Sequence, residues 1–531
     1  MSALADLTMY ARFATDVPRF LMRGRLTVEQ ARAIIRRRLA ERETHFLRLV
    51  ERGVFGNPRS PYLPLLRLAR CELGDLRRMV HDRGVEGTLA ALHAAGVYVT
   101  FEEFKGRVPI VRGGLELRVG AHDFDNPYLR AHYEASSGGS TGAGTRTPQD
   151  LNHLAETAPF YVLAFDAHGV LGAPVGVWHQ VLPSGTGVSN VLRGALLGNV
   201  PRVWFSPVMS DDLRPDFRFR AATWYIISVA RLFGVRAPRP RHVPLDRAAV
   251  MARWAAETVR EHGACLIRTS VSMALRIAIA AREAGLDLTG VTLMGGGEPP
   301  TDAKVRGITQ SGARYVPTYV FSEAGPVGMG CCAPLDGNDL HFFKDALALI
   351  QRPQLVPGTD LTVDAFCFTS LLPTAPKLLL NVMSDDFGVI ERDRSCGCPL
   401  HEAGYTEHIR HVRSYRKLTG EGVTLIGSDM VRILEEVLPA RFGGTPLDYQ
   451  LAEEEDAQGF TRLSLVVSPR VAVADERAVV DAVMAELARG RDGADGARAF
   501  WTQASTLRVK RADPVWTGRG KLMSLHFARS A

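Results

Sequence analysis

The sequence predicts an α/β protein with a large multi-sheet N-terminal domain and a small α+β C-terminal domain. Three observations predict it. A chain of 531 residues is longer than one hydrophobic core usually serves. From about residue 110, short apolar runs alternate with helical periodicity and glycine-rich turns, the pattern of strands wound with helices. Beyond a charged stretch with His408, Arg410, His411, Arg413, Arg416 and Lys417, the chain reads as a separate unit of strands and helices. The expected divisions are a mainly helical portion at 1–110, a core at 111–412 and a C-terminal unit at 413–531.

Thr27-Val28-Glu29-Gln30 has capping-box form, and Ile34, Ile35, Leu39, Phe46, Leu49 and Val50 then recur at helical spacing as far as Gly53. Further helices are expected near 66–80 and 87–95. Cys265-Leu266-Ile267-Arg268 reads as a strand, followed by a helix over 271–284 that Gly285 ends. Val291-Thr292-Leu293-Met294 is a second strand, running straight into a glycine cluster, and Arg314-Tyr315-Val316 is a third. In the C-terminal unit the expected elements are a helix over 428–438, strands near Tyr449, at 462–467 and at 506–510, and a helix over 475–489.

Composition is that of a globular protein, with 46% hydrophobic and 23% charged residues. The net charge of +7 is thin for this length, and Arg36-Arg37-Arg38 falls in a helical pattern, so no nucleic-acid partner is expected. No apolar run reaches membrane-spanning length, and Asp6, Arg12, Asp16 and Arg19 break any signal-peptide core, so the expected location is the cytoplasm. Seven cysteines, an odd number, argue against a disulfide framework.

The stretch from Ser136 to Arg146 holds four glycines and five hydroxyls in eleven positions. Such a segment has almost nothing apolar to bury, and its backbone N–H groups and hydroxyls suit an anion. Two more segments follow: Gly295-Gly296-Gly297-Glu298-Pro299-Pro300-Thr301, and Tyr319-Val320-Phe321-Ser322-Glu323-Ala324-Gly325. In this order they resemble the core motifs of acyl-adenylate-forming enzymes, most closely the phenylacetate–CoA ligase group, over roughly 110–531.

The resemblance implies a set of roles. Ser137, Gly138, Gly139, Ser140, Thr141, Gly142 and Thr145 would hold the phosphates of ATP. Gly297, Glu298 and Pro299 would flank adenine, with Tyr319 stacking on it and Ser322 beside it. Glu323 would reach Mg²⁺, Asp386 the ribose hydroxyls, and Arg413 the ribose or the α-phosphate. Lys521, in Thr517-Gly518-Arg519-Gly520-Lys521, matches the family's catalytic lysine. Val320 stands where the family commonly has glycine, and the arginine usually found ahead of Asp386 is missing.

Some members of that group also carry a cysteine, a histidine and a Cys-x-Cys pair that bind zinc. Cys332, His341, Cys396 and Cys398 match that set, with Cys331 as an alternative to Cys332. Between the first two glycine-rich segments, Trp178, His179, Tyr161, Phe165 and Trp204 are candidates for the acyl slot or for core. The Gly-x-Ser-x-Gly elbow of hydrolases is absent.

The expected activity is conversion of ATP and a carboxylic acid to an acyl-adenylate and pyrophosphate, then transfer to a thiol, foremost that of coenzyme A. Alternatives are transfer to a carrier protein, an amine or another nucleophile, and a non-catalytic relative that binds a nucleotide or acyl ligand. The resemblance implies that the C-terminal domain moves between the two half-reactions, and a homodimer is among the expected assemblies.

Overall fold

The computed structural model describes residues 3–136, 146–208, 217–355, 362–414, 417–420, 423–426, 433–455, 460–488, 507–515 and 525–527. Up to Phe104 the described chain is mainly helical, with α1 (Ala3–Leu21), α2 (Val28–Ala40), α3 (Arg42–Val50), α4 (Tyr62–Leu68), α5 (Leu73–Ala94) and α6 (Phe101–Phe104). Thr27 caps α2, its hydroxyl accepting from Gln30 N at 3.2 Å while Gln30 Oε1 accepts from Thr27 N at 3.0 Å. The single run expected as far as Gly53 breaks at Glu41, and Gly53 falls inside a short π-helical turn, Glu51–Phe55. The helices expected at 66–80 and 87–95 are largely one element, α5, kinked where Gly84 takes φ 67°.

The chain continues through two hairpins, β1 (Ile110–Arg112) with β2 (Leu115–Leu117), and β3 (Tyr133–Ser136) with β4 (Arg146–Gln149). In the second, Ser136 pairs with Arg146, the two ends of segment 137–145. Helix α7 (Leu151–Ala167) leads to β5 (Val175–Trp178), α8 (Gly185–Leu197), β6 (Val203–Ser206), α9 (Phe217–Leu232), β7 (Pro240–His242) and α10 (Ala249–His262). Then come β8 (Cys265–Ser270), α11 (Val271–Glu283), β9 (Val291–Gly296), α12 (Asp302–Thr309) and β10 (Arg314–Phe321). The core closes with β11 (Gly325–Gly330), β12 (Leu340–Phe342), β13 (Leu347–Leu355), β14 (Thr362–Ser370), β15 (Val382–Glu391), α13 (Pro399–Glu402) and β16 (His408–Ser414).

Strands β5 to β16 form one twelve-stranded sheet in the order β13-β14-β15-β16-β12-β11-β10-β9-β8-β5-β6-β7. The half from β10 to β7 is parallel, and the half from β11 to β13 is antiparallel. Strand order reverses between β5 and β8, and such a reversal opens a crevice at the carboxyl ends of the strands.

Side chains of the parallel strands alternate between two cores, as the strand period of two requires. Leu266 of β8 and Met294 of β9 join the core shared with α7 and α8, while Cys265, Ile267 and Leu293 face α10 and α11. The C-terminal region adds the pair β17 (Lys417–Gly420) and β18 (Val423–Ile426), and a four-stranded sheet in the order β21-β20-β19-β22. Its strands are β19 (Tyr449–Glu455), β20 (Thr461–Val467), β21 (Leu507–Arg511) and β22 (Leu525–Phe527), with a helix at Glu476–Ala488. The strands and the helix at Glu476–Ala488 fall near their expected positions, whereas the helix expected over 428–438 lies partly outside the described residues and continues as a π-helical turn, Ile433–Val437, and a short helix, Leu438–Phe442. Among the described residues, no helix is long and apolar enough to cross a membrane.

The helical N-terminal portion grips the segment that leads into β15. The Tyr62 hydroxyl donates to Leu378 O at 3.0 Å and accepts from Leu380 N at 3.2 Å. Asn381, buried at φ 50°, donates from its side chain to Leu89 O at 2.8 Å and Val97 O at 3.1 Å. Replacing that amide by an apolar side chain strands buried carbonyls and leaves a left-handed backbone that asparagine tolerates best. Asn381→Leu is expected to cost about 3 kcal/mol in denaturant unfolding, and an unchanged midpoint would show that this grip is not structural.

Candidate active site

The carboxyl ends of β5, β8, β9 and β10, together with α7 and α8, enclose a cavity of about 310 Å³. Its wall is built by close approaches that only glycine allows. A Cβ on Gly296 would collide with the Thr318 hydroxyl and carbonyl, so β9 and β10 converge there, and Gly297 takes φ 85° to turn the chain away. On the other side a Cβ on Gly185 would strike Ala135, so the first turn of α8 touches the end of β3.

Several of the sequence-predicted residues meet here. Gly297, Ser322 and Val320 line the cavity, with Val320 42% exposed. Ala135 and Gln149 line it too, so β3 and β4 carry the two ends of the glycine-rich stretch to its edge. Ser137, Gly138, Gly139, Ser140, Thr141, Gly142 and Thr145, like Lys521, lie outside the described residues.

Tyr319 and Asp386, far apart in sequence, are joined by a hydrogen bond of 2.6 Å from the phenol to Asp386 Oδ2. Burial pushes the Tyr319 phenol well above its ordinary range and Asp386 adds to the shift, so the phenol is the donor. Register between β15 and β16 sets Arg413 opposite Phe387, one position from the Asp386–Ser414 pair, with Arg413 exposed.

Glu298 has different neighbours. Its carboxylate is buried, accepting from Ser272 N at 2.8 Å and Ser272 Oγ at 2.7 Å at the start of α11, and it pairs with Lys304 at 2.9 Å. An acid at a helix N-terminus is stabilised there, so Glu298 ties the glycine turn to α11 and α12. Pro299 follows it in that turn and is not among the described lining residues.

Glu323 sits in the turn between β10 and β11, 9% exposed, with Oε1 at 2.7 Å from Lys105 Nζ. Burial alone would raise this carboxyl, but Lys105, with a contribution from Lys377, holds it below the ordinary carboxylate range. Lys377 is itself held by Ala121 O and the Asp125 carboxylate. The N-terminal portion thus reaches the site through one ion pair.

The cavity floor is electropositive. Arg193 of α8 and Arg268 of β8 both line it, and each guanidinium carbon lies over the Tyr161 ring, at 4.1 and 4.7 Å from its centroid. His179 is also in the lining; burial and Arg268 push it down to about 3, so it is neutral. Trp178 and Trp204 are core residues, their indoles donating to Val243 O at 3.0 Å and His179 O at 2.8 Å.

A second cluster lies on the antiparallel half. Ligand atoms of Cys331, His341, Cys396 and His408 fall within 4.8 Å of one another. Cys396 Sγ is 3.7 Å from His341 Nε2, about the edge length of a tetrahedral zinc shell. Outer contacts orient both rings: His341 Nδ1 faces Tyr405 O at 2.7 Å, and His408 Nδ1 faces Asp339 Oδ1 at 2.6 Å. That leaves His408 Nε2 buried without a partner. Cys398 adjoins the group, its thiol pulled far down by hydrogen bonds from Cys331, His341 and Cys332, while the same contact with Cys398, reinforced by burial, pushes Cys331 up. Burial first, then Cys398, pushes the Cys332 thiol up to about 12. The donor set fits a soft tetrahedral ion, with Cys331 and His408 in the compact group where the sequence suggested Cys332 and Cys398.

Sequence reasoning did not single out Lys105, Arg193 or Arg268 near the candidate site, nor His408 in the Cys/His cluster. Arg268 had a signal, a charge inside an otherwise apolar strand. His408 had none, because only the register of β12 with β16 sets it opposite His341.

No protein-family model and no curated protein matches the chain. Solved structures do resemble it. It is similar to 2-hydroxyisobutyryl-CoA ligase in complex with 2-HIB-AMP and CoA, at 14% identity over 94% of this chain and 90% of that one, with a TM-score of 0.47. It is similar to the amide bond synthetase McbA from Marinactinospora thermotolerans, at 12% identity over 78% and 71%, with a TM-score of 0.39. A double mutant of the o-succinylbenzoate CoA synthetase MenE from Bacillus subtilis matches at 10% identity over 74% and 68%, with a TM-score of 0.43. At this level of likeness, what the chain does has to come from its own site.

The Lys105–Glu323 pair gives a test with a sign. A carboxyl held low by its partner lends stability above the unfolded value and loses it as pH falls through the folded one. In Lys105→Met, burial acts on Glu323 against only the weaker pull of Lys377 and a backbone hydrogen bond, so its folded value rises and protonation relieves the strain. Thermal unfolding should show a deficit of about 3 kcal/mol at neutral pH that narrows toward pH about 5. A deficit independent of pH would show that the pair is not electrostatic in origin.

Proposed function

We propose that the chain is an AMP-forming acid–thiol ligase of the acyl-adenylate-forming type, near the phenylacetate–CoA ligase group. One observation supports the reading: Ala135 and Gln149 beside the glycine-rich stretch, Gly296-Gly297, and Val320 to Ser322 line one cavity at the carboxyl ends of parallel strands, and Tyr319, next to lining residues Thr318 and Val320, bonds to Asp386. Adenine would lie by Gly297 and Tyr319, and the ribose hydroxyls by Asp386 and Arg413. The phosphates would lie along Ser137–Thr145, between the ends of β3 and β4.

The acid's carboxylate oxygen would bond to the α-phosphorus of ATP as the bond to the β-phosphate oxygen breaks, and pyrophosphate would leave with that electron pair. A thiolate, foremost that of coenzyme A, would then attack the acyl carbonyl and release AMP. Mg²⁺, when bound, neutralises phosphate charge; Glu323 fits a single carboxylate ligand for an ion that takes its other ligands from phosphates and water. Lys105 would then share or yield Glu323. Lys521, on a C-terminal unit from residue 413 acting as a lid, would neutralise charge at the reacting phosphate. His179, neutral on the cavity wall, would help orient the acid.

Pyrophosphate release with a panel of acids tests this, and Lys521→Ala should lower it by about 10²–10³. Acid-dependent release that survives the substitution would remove the lysine from its role. The occupied Glu323 favours a second reading, a relative that binds nucleotide without chemistry; nucleotide binding with no release for any acid would establish it.

We also propose a structural zinc ion held by Cys331, His341, Cys396 and His408, with Cys398 able to replace one of them. Such an ion deprotonates its thiols and ties β11, β12 and β16 to the chain ahead of α13. Metal analysis should find about one zinc per chain, lost in Cys331→Ser with Cys396→Ser along with thermal stability. Zinc-free protein of unchanged stability would contradict it.

A further inference from the structure

The cavity floor holds two guanidiniums and, among the described residues, no carboxylate. Arg193 is 7% exposed, its Nε is buried without a hydrogen-bond partner, and its guanidinium stacks on the face of Tyr161. Arg268 shares that ring and lies 5.9 Å from the ring of Phe165. Among the described residues, no carboxylate pairs with either arginine and none lines the cavity. Two further buried groups in the same wall lack partners, Asn190 Nδ2 and His153 Nε2. Buried charges are ordinarily paired, and an unpaired buried cation is costly. Elsewhere this chain follows that rule, with Lys304 on Glu298, Lys105 on Glu323 and Lys377 on Asp125.

The sequence places these groups together deliberately. On α8, Gly185, Ser189, Asn190 and Arg193 recur at helical spacing and line the cavity as one polar face. On β8, Arg268 shares the face of Leu266 and so points toward α7 and α8, where it meets Tyr161 and the polar face of α8. Tyr161 accepts a hydrogen bond from Arg268, and the two arginines pull its phenol below the ordinary range despite burial. The ring lies against both guanidiniums and supplies no carboxylate to either.

We propose that the acid activated here is a dicarboxylate, whose second carboxylate is received by Arg193 and Arg268, with Asn190 as a further donor. This rests on the adenylation reading for the fate of the first carboxylate. A planar guanidinium matches a carboxylate bidentately, which makes the pair a device for charge and for shape. Arg193 and Arg268 reach the cavity from α8 and β8, whereas Gly297 and Ser322 reach it from the ends of β9 and β10, so the second carboxylate and the adenine would approach it from different strands.

Calorimetric titration tests this on the full chain, with and without ATP, using dicarboxylic acids and their half-amides of equal length. The wild-type protein should bind a dicarboxylate at least about tenfold more tightly than its half-amide. Arg193→Gln and Arg268→Gln should each bring that ratio close to one; if one variant fails to fold, the other and the wild-type ratio decide. Equal or tighter binding of half-amides, or no binding of any dicarboxylate, overturns the proposal. Inorganic phosphate or pyrophosphate that outcompetes every dicarboxylate at the arginines overturns it as well. Pyrophosphate release on the same acids separates the two readings. Selective binding without release leaves the dicarboxylate subsite and removes the enzyme; release with neutral acids alone does the reverse.

Discussion

The approach of β9 to β10 is the constraint on which the site depends. Gly296 brings the strands so close that any side chain would meet Thr318, and Gly297 then turns the chain at a positive φ. That junction is also where the sheet changes character, β10 being parallel to β9 and antiparallel to β11. The parallel half ends in loops at one edge, which gives the crevice its position. The antiparallel half carries Asp386 on β15 to within hydrogen-bond reach of Tyr319 on β10.

Buried charge is handled differently on the two sides of that junction. Glu298 and Glu323 lie just beyond the ends of β9 and β10, and each has a lysine from another element. The first pair fixes the glycine turn on α11 and α12. The second makes the N-terminal helical portion part of the site, since Lys105 belongs to the turn after α6. On the floor, Arg193 and Arg268 share Tyr161, an aromatic neighbour, and among the described residues no carboxylate pairs with either. A charge left open in an otherwise balanced interior marks where a ligand's charge belongs.

Local periodicity made much of the fold legible. Strands β8, β9 and β10, helix α11 and the C-terminal strand-and-helix pattern fall close to where apolar runs, glycines and caps put them. Helix breaks were less visible: α2 and α3 part at Glu41, and α5 absorbs Gly84 by a kink because packing on both sides outweighs the local cost. Within the site, the glycine cluster was legible because steric need writes itself in residue type. The Glu298 partners were not, since Ser272 and Lys304 come from separate helices. Cys396 was a candidate ligand through the family resemblance, whereas His408 required a strand register between residues 67 positions apart.

Isotope transfer tests the central claim most directly. The acid that turns over fastest, labelled with ¹⁸O in its carboxylate, would be incubated with the protein, ATP and a thiol acceptor, and the nucleotide product weighed by mass spectrometry. If the carboxylate attacks the α-phosphorus, AMP leaves carrying one labelled oxygen. Unlabelled AMP, or ADP with the label in released phosphate, would contradict adenylation at this site.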